Sequence, residues 1–331
     1  MNITVVGSGG WGTALAILLH KNGHNVTIWS FAQSEIDYIN EHHENALLKG
    51  IHVPEEIALT TDISCVKGKP LVVSAVPSFA VRSTAKAMAP HLDPETVIVS
   101  VTKGVERDTS LRMSQIIAEE TGNTVAVLSG PTHAEEVGRG VPTGCVVACK
   151  EKDVAEMVQK AFISDSFRVY AGNDIVGAEL GAALKNIYAL IAGVLTGAGL
   201  GDNTKALMMT RGLTESARLG VALGAQKETF AGLSGVGDLI VTCTSMHSRN
   251  NRCGILIGQG KSPEEAMKEI GAVVEGYYAS ASAHYLAEKM GIEMPIAEAA
   301  YRVLYEGANV QDTIADLMRR DPSTEVDITW L

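Results

Sequence analysis

Aromatic side chains make up only 5% of this chain, so the stacking platforms that hold single-stranded nucleic acid are not expected. Basic residues are also in the minority. With 27 Lys and Arg against 38 Asp and Glu the net charge is -11, which repels nucleic-acid phosphates and anionic lipid and demands a local basic pocket for any anionic ligand. Five cysteines are present, at positions 65, 145, 149, 243 and 253, without a CxxC pair or a zinc-type Cys/His spacing, and no HExxH occurs. Buried reduced thiols are expected, and no metal. No charged leader and cleavage site precede the strand-like MNITVVG, which leads to a cytoplasmic expectation. The most apolar stretch, Leu180 to Gly201, carries Lys185 and Asn186 and then turns glycine-rich, so it reads as a buried helix and no membrane span is expected.

What remains is a chain of 331 residues, 46% hydrophobic and 20% charged, which a prior of about 150 residues per domain divides in two. Near-continuous apolar runs at Ile3–Val6, Val26–Trp29, Leu71–Val76, Val97–Val101 and Val125–Leu128 alternate with helix-like segments. Such a pattern describes a parallel sheet covered on both faces, the doubly wound, Rossmann-like α/β architecture. Cys145–Ala148 and Phe167–Tyr170 extend the sheet around a charged helix, Lys152–Phe162. After Asn173 the periodicity becomes helical throughout, so the expected division is a dinucleotide-binding domain over 1–173 and an all-helical substrate-binding domain over 174–331.

GSGGWG places Gly7, Gly9 and Gly12 in a GxGxxG between a strand and a helix. There Gly7 permits the tight turn, Gly9 admits a pyrophosphate close to the backbone, and Gly12 lets the helix pack on the strand. The helix N-terminus then attracts phosphate. An ordinary glycine turn would not need the second strand that follows within one βαβ length. Cofactor choice stays open between NAD and NADP. Ser30 and Phe31 occupy the place of the usual ribose-binding acid, no Arg adjoins them, and Glu35 and Asp37 fit a solvated helix face equally well.

Ligands of open α/β sheets gather beyond the carboxyl ends of the strands, which here carry Pro77-Ser78, Thr102-Lys103-Gly104 and Gly130-Pro131-Thr132. Lys103 at such an end could bind an anion or polarise a carbonyl, although most lysines are solvated loop residues. Lys185 is the only charged side chain between Glu179 and Asp202, and its helical neighbours Gly181, Ala182, Tyr188 and Ala189 offer no ion pair. Desolvation would make it a proton donor near neutrality, while a snorkelling lysine is the bland alternative, against which adjacent Asn186 weighs. Downstream, Asp238 follows a glycine-rich turn, and Ser248, Arg249 and Asn250 open a helix in a manner suited to a small phosphate, or to a plain Ser cap. Glu275 in VVEG could cap a helix or meet the cofactor.

Taken together, the blocks GSGGWGTALA, SVTKG, LSGPTHAEE, ALKNIYA, TRG, GVGDLIVTCT, SRN, VVEG and MPI resemble the bacterial-type NAD(P)-dependent glycerol-3-phosphate dehydrogenases over essentially the whole chain. The resemblance implies reversible reduction of dihydroxyacetone phosphate to sn-glycerol 3-phosphate for glycerophospholipid synthesis. It implies Lys185 as the proton-transfer lysine and Lys103 as the second substrate lysine, with substrate contacts at Gly130, Thr132, Asp238, Ser248, Arg249 and Asn250. Cofactor contacts are implied at Gly10, Trp11, Phe31, Lys103, Ala134, Arg249, Val273 and Glu275; members often carry a basic residue where this chain has Phe31. A homodimer formed through the helical half is a further expectation. The rival readings are a two-domain dehydrogenase for another hydroxy acid or sugar phosphate, and a non-catalytic dinucleotide sensor, which would not require Lys103, Lys185 and Asp238.

Overall fold

The computed structural model describes residues 1–106, 109–322, 324 and 325. Its strands are β1 (Asn2–Val6), β2 (Asn25–Trp29), β3 (Glu44–Asn45), β4 (Leu48–His52), β5 (Ala58–Thr60), β6 (Leu71–Ser74), β7 (Val97–Ser100), β8 (Val125–Ser129), β9 (Thr143–Ala148) and β10 (Phe167–Gly172). Among them run helices α1 (Gly10–Lys21), α2 (Gln33–His42), α3 (Val81–Met88), α4 (Met113–Thr121), α5 (Ala134–Gly138) and α6 (Lys152–Phe162). The remainder is helical: α7 (Ile175–Gly197), α8 (Asp202–Ala222), α9 (Asp238–Thr244), α10 (Arg249–Gly258), α11 (Pro263–Ile270), α12 (Glu275–Met290), α13 (Pro295–Tyr305) and α14 (Val310–Met318).

Eight strands form one sheet in the order β10-β9-β8-β7-β6-β1-β2-β5. Every apolar run expected to be a strand lies in it. The pairing is parallel except between β8 and β9, where Leu128 faces Val147 in antiparallel register. The chain leaves β1 for β2 on one side and returns to β6 on the other, which puts a switch point beyond the carboxyl ends of β1 and β6. Ile3, Val5, Leu71, Val73 and Val99 are fully buried with α1 residues Leu15 and Leu19, because helices cover both faces of the sheet. Short polar segments escaped the apolar pattern: β5 adds an edge strand, and β3 with β4 forms a separate hairpin.

In the helical half α7 is the axis. It is the one helix among the described residues long and apolar enough to cross a membrane, yet 83% of its apolar window is buried against the rest of the chain, as expected of a core helix. Asp174 caps it, accepting from the Gly177 N–H at 2.9 Å. Glycines let α10 press directly onto it: a Cβ at Gly193 would run into the Asn251 carbonyl, and one at Gly254 into that of Leu190. Two helices in backbone contact hold their ends in a fixed relation. That relation brings the start of α10 to the middle of α7.

Candidate active site

The glycine turn follows β1 at the switch point. Gly7 has φ +122, and a Cβ there would lie 2.7 Å from the Ala75 carbonyl oxygen just past β6, so only glycine fits this close approach. A Cβ on Gly12 would strike the Gly7 carbonyl, which keeps α1 tight against the turn. Gly9, by contrast, faces open space and is the N-cap of α1, with no side-chain cap and no acidic residue in the first turn. Unclaimed N–H groups, the positive end of the helix dipole and room for a ligand together fit a dinucleotide pyrophosphate. Gly10 and Trp11 form the first turn of α1, with Gly10 packed against the tip of the β3–β4 hairpin, where a Cβ on it would lie 2.9 Å from the Leu47 carbonyl oxygen. Asn45 in that hairpin is buried and donates to the Ser8 carbonyl at 2.6 Å and to Thr13 Oγ1 at 2.7 Å, bracing the turn.

Across the sheet the two lysines converge on one carboxylate. Lys103, after β7, donates to Asp238 Oδ2 at 2.8 Å and to the Gly130 carbonyl at 3.2 Å. Lys185, from the middle of α7, donates to Asp238 Oδ1 and to Thr242 Oγ1, the latter at 2.6 Å. Lys185 therefore does have a counter-ion; it comes from α9 in tertiary contact, which helical spacing about Lys185 does not reveal. Burial, reinforced by the charge of Lys103 and resisted by Asp238, pulls the Lys185 ammonium down to about 7. Burial raises the Asp238 carboxyl, but the two lysines outweigh it and hold the group below the ordinary carboxylate range.

Two neighbours of this cluster were not evident from the sequence. Thr242 lies one helical turn beyond Asp238, and its hydroxyl also reaches the Asp238 carbonyl at 2.6 Å. His133 has a buried Nε2 with no hydrogen-bond partner among the described residues. Burial, with the nearby Lys185 charge, keeps its imidazole below the usual range and so neutral at physiological pH.

Thr132 Oγ1 donates to the Gly130 carbonyl at 3.1 Å, and Ala134 opens α5. Asn186, next to Lys185, accepts from Asn250 Nδ2 at 2.9 Å, and Asn250 accepts from the Gly276 N–H at 2.8 Å, so α7, α10 and α12 are tied in one chain of hydrogen bonds. Ser248 is the N-cap of α10, its hydroxyl accepting from the Asn251 N–H at 3.2 Å, as the bland reading of that residue had it. Arg249 and Arg252 are exposed in the first turn of α10 and have no carboxylate partner among the described residues. Glu275 opens α12 and accepts from Ser78 Oγ at 3.2 Å, joining the β6 end to the helical half. Val273 is partly exposed in the preceding loop, while Phe31 projects past β2 with 90% of its surface exposed, apart from the lysine cluster.

Glu35 is exposed on α2, as Asp37 is, but its carboxylate is held differently. Its carboxylate turns back to the glycine turn, where Ser8 Oγ and Ser30 Oγ both reach it, Ser30 at 2.6 Å. Elsewhere, a groove of about 910 Å³ in the helical half, walled by Ile191, Leu207, Met208, Ile296 and Leu317 among others, contains none of these residues.

With that geometry in view, similarity to known proteins is informative. Residues 2–155 match the family description "NAD-dependent glycerol-3-phosphate dehydrogenase N-terminus" and residues 174–315 the corresponding C-terminus. A relative from Moorella thermoacetica, glycerol-3-phosphate dehydrogenase [NAD(P)+], is 52% identical over 98% of both chains. One of the same description from Fusobacterium nucleatum is 50% identical over 100% of both. The solved glycerol-3-phosphate dehydrogenase of Coxiella burnetii superposes with a TM-score of 0.92 at 36% identity, covering 96% of this chain and 99% of that one.

Proposed function

The chain belongs to the NAD-dependent glycerol-3-phosphate dehydrogenase family, and we propose that Lys185, held by Asp238 and Thr242 beside Lys103, is the proton donor of its reaction. The enzyme reversibly reduces dihydroxyacetone phosphate to sn-glycerol 3-phosphate with NADH or NADPH, for glycerophospholipid synthesis. The observation that carries the assignment of roles is the convergence of two lysines from opposite halves of the molecule on one buried carboxylate at the rim of the sheet.

The bound nicotinamide supplies the hydride that reduces the substrate carbonyl. Lys185 holds a proton at Nζ for the carbonyl oxygen, and an ammonium drawn down to about 7 gives it up readily near neutrality. Lys103 adds a fixed cation where negative charge develops on that oxygen, and Asp238 orients both amines. Gly130 and Thr132 border this centre, and Asn186 locks Asn250 in place. Arg249, without a carboxylate partner among the described residues, lies with Ser248 and Asn250 at the start of α10 and is suited to hold the phosphate and so align the carbonyl. Gly7, Gly9, Gly10, Trp11 and Gly12 would hold the dinucleotide, with Ala134, Val273 and Glu275 beside it and Phe31 at its outer end. Asp174, capping the long helix after the last strand, supports a division into a dinucleotide-binding domain over 1–173 and a helical substrate domain over 174–331.

Mixing the protein with dihydroxyacetone phosphate and reduced dinucleotide should give substrate-dependent loss of nicotinamide absorbance. Lys185→Ala should lower kcat by about 10²- to 10⁴-fold while dinucleotide affinity stays the same; wild-type turnover in that variant would remove the proton-donor role. Cytoplasmic location and a homodimer complete the proposal. The apolar groove of the helical half supports the dimer, because such surfaces are commonly covered by another protein, and a monomer mass in sedimentation equilibrium would count against it.

A further inference from the structure

Just past the end of β2 a dinucleotide-binding sheet holds the adenosine ribose, normally on a carboxylate about 20 residues beyond the glycines. In this chain Ser30 directly follows β2, and Ser8 lies inside the glycine turn; both are buried. Their hydroxyls reach the same oxygen of Glu35, Oε2. Ser30 Oγ also accepts from the Ala32 N–H at 3.2 Å, and the Glu35 N–H donates to the Ala32 carbonyl at 3.2 Å, so the entry to α2 is folded to carry this carboxylate back over the turn. Oε1 of Glu35 has no hydrogen-bond partner among the described residues.

Among the described residues no Lys or Arg forms an ion pair with this group. The sequence contains neither Lys nor Arg between Lys21 and Lys49, and the strand beside β2 leads into Thr61 and Asp62. A 2′-phosphate brings a charge of about -1.5 to -2 to that position, where it would meet an uncompensated carboxylate. A 2′-hydroxyl would instead find a free acceptor oxygen. Resting on the dehydrogenase reading above, we propose that the Ser8, Ser30 and Glu35 cluster makes the site selective for NADH over NADPH, with Glu35 accepting the adenosine ribose hydroxyl.

The test is a fluorescence titration of the intact protein with NADH and with NADPH, which reads dissociation constants without turnover, alongside steady-state rates with dihydroxyacetone phosphate. NADH should bind at least about tenfold more tightly, and kcat/KM should follow the same order. Glu35→Gln keeps an acceptor for the two serines while removing the charge, and should narrow the gap by strengthening NADPH binding; Asp37→Asn, on the solvated face, should leave the ratio unchanged. Equal or tighter binding of NADPH by the native protein overturns the proposal, as does an unchanged ratio in Glu35→Gln. If neither dinucleotide is consumed with dihydroxyacetone phosphate, the dehydrogenase reading fails, while the ratio of dissociation constants still judges Glu35.

Discussion

Lys185 and Lys103 repel each other across the carboxylate they share, and Asp238 is what allows two ammonium groups to sit in one low-dielectric pocket. As the proposed donor, Lys185 must carry its proton when a carbonyl is reduced. Because its titration is lowered to about 7, the protonated form is complete below that pH and is lost as pH rises through it. The kcat/KM for reduction should accordingly fall tenfold per pH unit above neutrality, and the reverse oxidation should rise over the same range. Asp238→Asn removes the charge that resists this lowering, so the midpoint should move to lower pH by about one unit or more. A midpoint unmoved in the pH profile of that variant would leave Asp238 without a tuning role. Lys185 stood out in the sequence as a lone charge in an apolar helix. Its partner did not, because residues 53 positions apart meet only when α9 folds onto α7. Glu35 was ambiguous for a related reason: whether a carboxylate in the first turn of a helix faces water or the preceding loop depends on how the chain enters that helix.

At the scale of elements, the pairing of α7 with α10 sets the distance between Lys185, the proposed proton donor, and the start of α10, the proposed phosphate seat. Gly193, Gly197, Gly254 and Gly258 face the opposite backbone, where a methyl group has no space. Gly254→Ala should force the helices apart and cost about 1–3 kcal/mol or more, read as a lower midpoint in urea unfolding. It should also raise KM for dihydroxyacetone phosphate, since the start of α10 moves with the helix. A variant with native stability and native KM would show that the contact is slack. The strands of the sheet other than β5, and the helical character of the second half, were legible from apolar periodicity. The hairpin of β3 and β4 was not. Its strands are short, and Glu44, Lys49 and His52 interrupt any two-residue alternation, so only the packing of Asn45 beneath the glycine turn gives it shape.

For the molecule as a whole, the cluster of Lys103, Lys185 and Asp238 exists only while the two halves are docked. Besides Lys103 with Asp238 and Ser78 with Glu275, the joint includes Glu179 of α7, whose buried carboxylate accepts from Arg112, from the Ser114 N–H at 2.7 Å and from Ser114 Oγ at 2.6 Å. Glu179→Ala would strand a mostly buried guanidinium and an amide, at a cost of about 3 kcal/mol or more. Calorimetry should then resolve separate transitions for the sheet and the helical half, with activity lost at the first. A single transition at the native temperature would indicate that other contacts carry the joint.

The antiparallel step from β8 to β9 has a consequence of its own. With β10 running alongside β9, the chain leaves Gly172 level with Val127 in the middle of β8 and heading away from the ligand rim, and α7 must carry Lys185 back to that rim. The ten or so residues from Ile175 to Lys185 supply a rise of about 15 Å. The length of α7 ahead of Lys185 thus sets where the amine arrives, and adding one residue there would swing it about 100° around the helix axis, away from its seat.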